Sequence, residues 1–457
     1  MLKDQRTIAA IATPRAAGGI GIVRVSGKDA PAIADKIFKA KSGKLPSQSE
    51  GYRAHYGKVF SKERALDEAI CLVFRAPHSY TGEDTVEFHC HGGLYITQSV
   101  LRAALDAGAF PAAAGEFTKR AYLNGRLSLD RAEAVMSLIS AQGEQAAQAA
   151  LTALEGSLAG EIKTVADELI AAAAKLNAWV DFPDEEIEDT DPERLKAVFK
   201  SALDKLQGLL DSYDLGRAVT NGVETAIVGR PNVGKSTLMN LLTGYDKSIV
   251  TDYAGTTRDI VEETVNLGPL VLRLADTAGL RPTDDPVEKI GVDRALKRIE
   301  RSSLILAVFD GSDSLTPEDK ALLSKCAGKP TIAVINKTDL DRNLDLDYIR
   351  KTIGTLVEIS ASQGWGVEAL TKAVEDLLGT ADFDAGAAIL ANERQRQCVL
   401  RAANNLSEAL QGLESGMTLD AVAFSNEAAI EALLELSGEK VSDAVVNEIF
   451  SNFCVGK

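Results

Sequence analysis

A glycine-rich segment in the middle of the chain constrains the fold more than any other feature. Residues 229–237 read GRPNVGKST and match the phosphate-binding pattern G-x-x-x-x-G-K-[ST] at every position. The apolar run 225–228 before the segment is typical of a buried strand, and 238–242 after it is typical of a helix. Strand, loop and helix in this order predict a doubly wound α/β domain that binds a nucleoside triphosphate.

Each residue type in this loop has a chemical reason. Gly229 and Gly234 let the backbone turn its N–H groups toward phosphate oxygens at the positive end of a helix. Lys235 adds a positive charge for the outer phosphates, and the Ser236 hydroxyl is the predicted Mg²⁺ ligand. The remaining predicted nucleotide contacts of the loop are Asn232, Val233 and Thr237.

A second motif indicates which base is bound. The apolar run 331–335, typical of a parallel strand, is followed by Asn336, Lys337, Thr338 and Asp339, all four predicted nucleotide contacts. This N-K-x-D sequence resembles the guanine-reading motif of the translation-factor-like GTPases, and 359–361 matches the supporting Ser-Ala loop of that group. The Asp339 carboxylate can accept hydrogen bonds from guanine N1–H and the 2-amino group, so the sequence favours GTP over ATP.

Between these motifs lies a candidate for the second switch segment. Residues 276–279 read DTAG after the strand-like run 270–274 and resemble the D-x-x-G motif. We predict that Asp276 is catalytic and holds the Mg²⁺ shell through water, and that the γ-phosphate meets the Gly279 N–H, with Thr277 and Ala278 beside it. Leu280 occupies the position where Ras-type enzymes use glutamine to orient water, so this site must position water differently.

Asn232 and the segment 251–259 (TDYAGTTRD) resemble the potassium-activated GTPases, in which K⁺ stabilises charge beside the phosphates. That resemblance implies that Thr257 joins Ser236 on Mg²⁺ and that Arg258 is catalytic. Glu288 lies where the closest family has a carboxylate that orients the attacking water, although a solvated acid at a helix start explains Glu288 equally well. The implied K⁺ ligands are Asn232, Thr251, Tyr253 (backbone) and Thr256, with Asp252, Ala254 and Gly255 as further GTP contacts.

Composition bounds the class of protein. A chain of 457 residues exceeds one ordinary core, which predicts two to four domains. We expect a cytoplasmic protein, because no apolar run approaches a membrane span and the N-terminus lacks a signal-peptide pattern. The net charge of −16 argues against a broadly basic nucleic-acid-binding surface, so RNA would need a local basic patch or a second protein.

Cysteine and histidine spacing gives little support for a structural metal. The five cysteines lack C-x-x-C spacing, which argues against a disulfide framework and a zinc ribbon. His89 and His91 would face one side of a strand, but no second Cys/His cluster completes a site. A metalloenzyme that uses this pair is therefore the weakest of the functional hypotheses.

Patterning divides the chain into four segments: an α+β domain (1–118), a first helical part (119–214), a GTPase domain (215–378) and a second helical part (379–457). Leucines and aliphatics spaced by three and four over 151–169 predict a helix or helix pair that ends near 179–183. Asp130 and Glu133 fit a capping box. Residues 391–413 and 428–436 are again helical, so we predict one discontinuous helical bundle into which the Ras-like GTPase domain is inserted.

The whole chain resembles the MnmE/TrmE family of tRNA modification GTPases. Several segments outside the nucleotide motifs are distinctive of this family. They are Ala12-Thr13-Pro14 with GGIG at 18–21, YTGED at 80–84, HGG at 91–93, GEFT at 115–118, DFP at 181–183 and the terminal CVGK. The resemblance implies a carboxymethylaminomethyl-type modification at C5 of the wobble uridine of certain tRNAs, built with a tetrahydrofolate one-carbon unit such as that of 5-formyltetrahydrofolate. It also implies homodimerisation through the N-terminal domain and a complex with the FAD-dependent partner MnmG (GidA), as a heterotetramer or larger.

The same resemblance implies a folate site in the N-terminal domain formed by Arg24, Glu87, Arg126 and Lys457. Arg126 stands where lysine is expected in some relatives, which keeps the charge but changes its geometry. Without the resemblance, each of the four would be read as a surface ion-pair residue. Cys454 is a candidate catalytic nucleophile or acid, since Lys457 nearby favours its thiolate, and its alternative is a small apolar residue beneath a helix end.

A second hypothesis remains open at this point. A regulatory G protein without its own modification chemistry, of the ribosome-assembly type, would explain the nucleotide motifs equally well. It would leave the folate-like N-terminal domain and the C-x-G-K tail without a role.

Overall fold

The computed structural model describes residues 6–181, 192–245, 263–274, 299–300, 302–381 and 383–457. The chain divides into two compact units, each discontinuous in sequence. The first comprises Met1–Met136, Ala159–Leu203 and Cys398–Lys457, and the second comprises Ser137–Leu158 and Asp204–Gln397. These two units do not test the four domain boundaries predicted from the sequence, which remain a prediction.

The first unit contains a seven-stranded sheet in the order β3-β4-β5-β6-β2-β1-β7. Its neighbouring strands are antiparallel, except for the parallel pair β1–β7. The strands are β1 (Ile8–Ile11), β2 (Ile20–Ser26), β3 (Phe38–Ala40), β4 (Arg53–Ser61), β5 (Arg64–Phe74), β6 (Thr85–His91) and β7 (Phe110–Pro111). Together with the helices below, this sheet confirms the predicted α+β fold of the N-terminal region.

Two helices cover one face of this sheet, namely α1 (Ala30–Ile37) and α2 (Leu94–Asp106). Val23 and Val25 of β2 point into the core beneath them while Ile22 and Arg24 alternate to the other side, as a half-buried strand requires. Phe38 and Phe88 are fully buried there with ring centroids 6.2 Å apart. Arg24 and its neighbours are therefore carried on the face that these helices leave open.

Helices from before and after the predicted GTPase domain pack together within the first unit. The Asn426 side chain donates a hydrogen bond of 3.1 Å to the Leu169 carbonyl, although 257 residues separate them. This contact confirms the predicted discontinuous bundle. Besides α1 and α2, the described helices that lie wholly or partly in this unit are α3 (Glu116–Leu123), α4 (Leu129–Ser140), α6 (Ser157–Asp181), α7 (Pro192–Asp211), α13 (Glu393–Ser415), α14 (Leu419–Ser437) and α15 (Asp443–Ser451).

The capping box expected at Asp130 is wrong in its register. Helix α4 begins at Leu129, so Asp130 lies inside the first turn and is only 3 % exposed. Burial raises the pKa of this carboxyl group. The first turn of α4 packs into an apolar cluster through the fully buried Leu129. Asp130 is therefore buried with this turn, where the sequence pattern predicted a solvent-facing cap.

The second unit contains a six-stranded sheet in the order β13-β12-β11-β8-β10-β9. All neighbours are parallel except the hairpin β9–β10. The strands are β8 (Val223–Val228), β9 (Glu263–Leu267), β10 (Leu270–Leu274), β11 (Leu304–Asp310), β12 (Thr331–Asn336) and β13 (Thr355–Glu358). Strands β8, β11 and β12 are apolar along nearly their whole length because this part of the sheet is buried on both faces.

The helices of the second unit are α5 (Glu144–Glu155), α8 (Tyr213–Asn221), α9 (Lys235–Tyr245), α10 (Pro317–Cys326), α11 (Leu346–Thr352) and α12 (Val367–Leu378). Gly156 separates α5 from α6, so the leucine periodicity over 151–169 belongs to a helix pair. Across the described ranges, no helix is long and apolar enough to cross a bilayer.

Candidate functional site

The phosphate-binding loop connects β8 to α9, as the sequence predicted. Gly234 has a φ of +97°, and a side chain at this position would place its Cβ 2.1 Å from the Asn336 amide nitrogen. Only glycine therefore fits between the loop and its neighbour. The Lys235 ammonium group donates to the Gly229 and Arg230 carbonyls at 2.8 and 2.7 Å, which keeps its charge folded over the loop.

Asn232 occupies the crest of this loop in a left-handed conformation, with a φ of +63°. Asparagine tolerates this region better than most other residues. Its side chain is exposed. An exposed amide beside the glycine-lined bend is compatible with the predicted role of Asn232 as a cation ligand.

A contact that the sequence motifs did not predict fixes the start of the loop. The Arg230 guanidinium lies 2.7 Å from the Asp313 carboxylate and 3.5 Å from that of Asp319. Asp319 is 3 % exposed and closes a capping box with Thr316 at the beginning of α10. Arg230 thus ties the phosphate loop to the segment that follows β11, and the variable second position of the motif gave no signal of this.

One side chain joins the phosphate loop to the predicted base-reading loop. The Asn336 amide nitrogen donates to the Val233 carbonyl at 2.8 Å, and its amide oxygen accepts from the Ala361 N–H at 3.0 Å. Asn336 is buried at the end of β12, and one strand, β11, separates β12 from β8 in the sheet. The three sequence motifs at 229–237, 336–339 and 359–361 are therefore adjacent in space.

The predicted base-reading carboxylate is oriented by a neighbour. One oxygen of Asp339 accepts a hydrogen bond of 2.6 Å from the Ser360 hydroxyl. Its other oxygen has no hydrogen-bond partner among the residues that the structure describes, and the side chain is exposed. A carboxylate held on one side and open on the other fits a donor pair such as that of guanine.

Lys337 is fixed by an ion pair at the end of β11. Its ammonium group lies 2.5 Å from the Asp310 carboxylate, which also accepts from the backbone and hydroxyl of Ser312. Burial by itself would raise the pKa of Asp310, but the hydrogen bonds from Lys337 and Ser312 outweigh it and hold that pKa below its ordinary value. The end of β11 and the residues that follow it thus contact both nucleotide loops, through Asp310 and through Asp313.

Several predicted site residues lie outside the described residues. They are Thr251, Asp252, Tyr253, Ala254, Gly255, Thr256, Thr257, Arg258, Asp276, Thr277, Ala278, Gly279 and Glu288. Of the predicted metal ligands, Ser236 lies half-buried in the first turn of α9 and Asn232 lies in the loop before it. Hydroxyl and amide oxygens suit Mg²⁺ and K⁺ respectively, so the two described ligands fit the predicted ions.

A second group of predicted residues converges in the first unit. The Arg24 guanidinium on β2 lies 2.7 Å from the Glu87 carboxylate on β6, because the ladder places these residues directly opposite each other. Burial alone would raise the pKa of Glu87, whereas Arg24 lowers it, and the net effect is a lowered pKa. Burial and the neighbouring Arg24 lower the pKa of Lys457, which belongs to the same cluster.

The end of the chain closes this cluster. Val455 forms a bridge with Ala114, the Phe117 N–H donates to the Lys457 carbonyl at 3.1 Å, and the Arg24 guanidinium donates to the Gly456 carbonyl at 3.4 Å. Gly456 has a φ of +101°, and a Cβ there would lie 2.3 Å from the Ile11 carbonyl oxygen. The tail is therefore seated against β1 and α3, and it carries Lys457 to the Arg24–Glu87 pair.

Two aromatic rings that the sequence reasoning did not select line the same place. The Arg24 guanidinium lies 5.6 Å from the ring centre of Tyr80 and 5.5 Å from that of Phe117. Flat rings beside a carboxylate and cations fit a pterin with an acidic tail. Tyr80 and Phe117 belong to two segments that carry the family resemblance, YTGED and GEFT. Those segments were the sequence feature that could have identified the two rings as site residues.

The remaining predicted residues lie at the margin of this cluster. Arg126 is exposed, with its aliphatic stem packed near Gly82 in the loop that also contains Tyr80. Cys454 is exposed, and its carbonyl accepts from the Gly115 N–H at 3.3 Å. The other four cysteines are buried, and burial raises the pKa of Cys71 to about 12 and that of Cys90 and of Cys326 to about 11.

The histidines weighed as a metal pair contact different carboxylates. His89 lies 3.1 Å from Glu87, and the His91 ring lies 2.7 Å from Asp67. Cys90 between them is buried on the opposite face of the sheet. Within the described part of the chain, no group of three or more His, Cys, Asp or Glu side chains is arranged to hold a metal ion.

Comparison with known proteins shows which family the chain belongs to. Residues 7–126 match the model of the GTP-binding protein TrmE N-terminus, and residues 129–454 match the model of the MnmE helical domain. The chain is 41 % identical to the tRNA modification GTPase MnmE of Heliobacterium modesticaldum, over 99 % of each chain. It is 43 % identical to the protein of that name from Symbiobacterium thermophilum, over 99 % of this chain and 100 % of the relative. The chain therefore belongs to the MnmE (TrmE) family of tRNA modification GTPases.

Proposed function

We propose that this chain is a K⁺-activated, Mg²⁺-dependent GTP hydrolase of tRNA modification in the cytoplasm. With an FAD-dependent partner of the MnmG type, it would place a carboxymethylaminomethyl-type group on C5 of the wobble uridine. The observation that carries the nucleotide part is the double hydrogen bonding of Asn336, which joins the phosphate loop to the loop of Asp339. One nucleotide can contact both loops at once, and the open oxygen of Asp339 favours guanine, because guanine offers a donor pair that adenine lacks.

The residues of this chain would perform separate tasks in hydrolysis. Lys235 and the loop N–H groups would bind the phosphates, and Asp339 with Ser360 would orient the base. Asn232, with Thr251, Tyr253 and Thr256, would hold K⁺, while Ser236 and Thr257 would hold Mg²⁺. Bound cations would supply positive charge beside the phosphates, as an arginine finger does in other GTPases. Glu288 would orient the attacking water in place of the glutamine that Leu280 replaces, with Arg258 and Asp276 as the other catalytic groups.

The second part of the proposal concerns the Arg24 cluster. Arg24, Glu87, Arg126 and Lys457 would bind a reduced folate, with the carboxylate reading the pterin edge and the cations reading the acidic tail. The Tyr80 and Phe117 rings and the seated tail support this assignment. Cys454, exposed three residues before Lys457, would act as nucleophile or acid in the same region. Homodimerisation through the N-terminal domain completes the proposal.

The hydrolytic part is tested by GTP turnover of the full chain in KCl and in NaCl at equal ionic strength. We expect faster turnover in KCl, and we expect the Asn232→Ala variant to lose this difference while its GDP affinity stays within about two-fold. Equal turnover of the unmodified chain in both salts would remove potassium from the proposal.

The modification part is tested by mass analysis of wobble uridines in cells that lack the protein. We expect the modified nucleoside to disappear and to return on complementation. Calorimetry with 5-formyltetrahydrofolate separates the proposal from a regulatory G protein, since a pure switch would release no binding heat. Unchanged nucleosides together with an absent binding heat would favour the switch.

A further inference from the structure

A strongly basic surface stands out on this acidic chain. Residues 36–64 contain eight lysines and arginines and only two glutamates, whereas the whole chain has a net charge of −16. The segment forms β3, β4 and the turn into β5, at the edge of the seven-stranded sheet. All eight cationic side chains are exposed. We call six of them the basic edge: Lys39, Lys41, Lys44, Lys58, Lys62 and Arg64.

The ladder concentrates these charges instead of spreading them. Lys39 of β3 lies directly opposite Lys58 of β4, and the Lys41 N–H donates to the Tyr56 carbonyl one step further along the ladder. Arg64 pairs with Ser61 at the turn between β4 and β5, next to Lys62. Like charges placed opposite each other on a ladder repel, so this arrangement is unfavourable without an anion.

Few protein carboxylates neutralise the basic edge. Among the described residues, only Lys58 of the six has a carboxylate within ion-pair distance, namely Glu68 at 3.6 Å. Glu68 also accepts a hydrogen bond of 2.5 Å from the Tyr56 hydroxyl, and the charge of Lys41 acts on it from beyond ion-pair distance, so three groups share this one carboxylate. Five cations of the basic edge are therefore available to an external anion.

Aromatic rings lie between the charges. The Lys39 ammonium group is 4.9 Å from the ring centre of Phe60, and that of Lys41 is 6.0 Å from the ring centre of Tyr56. Tyr56 is 51 % exposed, and Tyr52 near the start of β4 is 67 % exposed. Lysines interleaved with exposed rings are typical of surfaces that bind a phosphate backbone and stack on unpaired bases.

Protection of a sheet edge is the main alternative explanation for these lysines. Lysines on an outermost strand discourage pairing with another chain, and Lys39 on β3 fits that role. Lys58 lies on the inner strand β4, Lys62 lies in the turn after β4, and Arg64 is the first residue of β5. Protection of the sheet edge therefore explains Lys39 but not Lys58, Lys62 or Arg64. A polyanionic ligand explains all six cations of the basic edge.

We propose that the basic edge is the surface on which tRNA docks, through contacts of its lysines and Arg64 with the phosphate backbone. The inference rests on the proposed function in tRNA modification and names the contact surface for that substrate. It also accounts for RNA binding by a chain of net negative charge, because the positive field is confined to one edge of one sheet.

The test is the salt dependence of tRNA binding by the full chain, measured by fluorescence anisotropy with a labelled tRNA transcript. In Lys39→Ala/Lys41→Ala we expect the dissociation constant to rise at least about ten-fold near physiological salt. The slope of log affinity against log salt should fall by about two, one for each phosphate contact removed. Neither lysine has a carboxylate within ion-pair distance among the described residues, and both side chains are exposed, so the fold should persist.

The matched control is Lys175→Ala/Lys200→Ala, which removes two exposed lysines from α6 and α7 in the same compact unit. An unchanged slope in the basic-edge variant, or an equal loss in the control, would overturn the inference while leaving the proposed function in place. Wild-type protein that binds phosphatidylserine vesicles but no tRNA would overturn it too. Wobble-uridine analysis tests the proposed function independently of these outcomes.

Discussion

Arg230 gives the clearest example of a residue whose contacts the sequence motif did not reveal. It occupies a variable position of the phosphate loop, yet it pairs with Asp313, which lies 83 residues later in the chain. Asp310, the last residue of β11, pairs with Lys337. Two cations, one from each nucleotide loop, therefore contact carboxylates at the end of β11 and just after it.

We expect Arg230→Ala to speed the release of a fluorescent GDP analogue by about two- to five-fold, because the lost ion pair has an exposed carboxylate and is therefore weak. Stopped-flow dissociation measures the rate directly. Thr316→Ala is the matched control, since it removes the cap of α10 but leaves Arg230 paired with Asp313. Equal acceleration in the control would mean that Arg230 acts only through the stability of α10.

In the proposed folate site, Lys457 would make ligand affinity depend on pH in a defined direction. Its pKa is lowered by burial and by Arg24, and only the charged ammonium group attracts an acidic tail. We therefore expect affinity to fall as the pH rises through this lowered pKa, at a lower pH than an ordinary lysine would give. Calorimetric titrations with 5-formyltetrahydrofolate at increasing pH measure this, and in Lys457→Arg the alkaline loss should disappear.

At the scale of elements, most of the nucleotide unit could be predicted from sequence. The runs 225–228, 270–274 and 331–335 all lie within observed strands, because strands buried on both faces leave a continuous apolar signal. The register of α4 was predicted wrongly at Asp130, because burial against other segments leaves no local pattern. Tertiary pairings such as Arg24 with the Gly456 carbonyl, 432 residues apart, had no sequence signal beyond the family resemblance.

The seated C-terminal tail gives a prediction for one element. A methyl group at Gly456 would meet the Ile11 carbonyl oxygen, and its positive φ adds strain of about 1–3 kcal/mol. We expect Gly456→Ala to weaken 5-formyltetrahydrofolate binding at least about five-fold in calorimetry, with unchanged GDP affinity. Gly416→Ala is the control, since it has a similar positive φ but no atom within 4 Å. Unaltered folate affinity in Gly456→Ala would show that the tail does not form the site.

At the scale of the whole molecule, the chain separates its two candidate sites into two compact units. The Arg24 cluster belongs to the first unit, and the nucleotide loops belong to the second. Each unit has its own sheet and its own buried core clusters. A ligand of one site therefore stabilises chiefly the unit that binds it.

We expect differential scanning calorimetry to resolve two unfolding transitions. GDP at about 100 times its dissociation constant should stabilise one transition by about 2.7 kcal/mol, and 5-formyltetrahydrofolate should stabilise the other by a similar amount. The two ligands serve as controls for each other. A single transition that both ligands raise equally would contradict independent units.

The double hydrogen bonding of Asn336 restricts how this enzyme can change its nucleotide preference. In the proposed site, a substitution of Asn336 would remove its hydrogen bonds to Val233 in the phosphate loop and to Ala361 near the base loop, so we expect it to weaken the binding of every nucleotide alike. Asp339 is different, since among the described residues its side chain contacts only the Ser360 hydroxyl and its other oxygen is open. A redesign toward another purine therefore has one tunable position, and a loss of function at Asn336 carries no information about base selectivity.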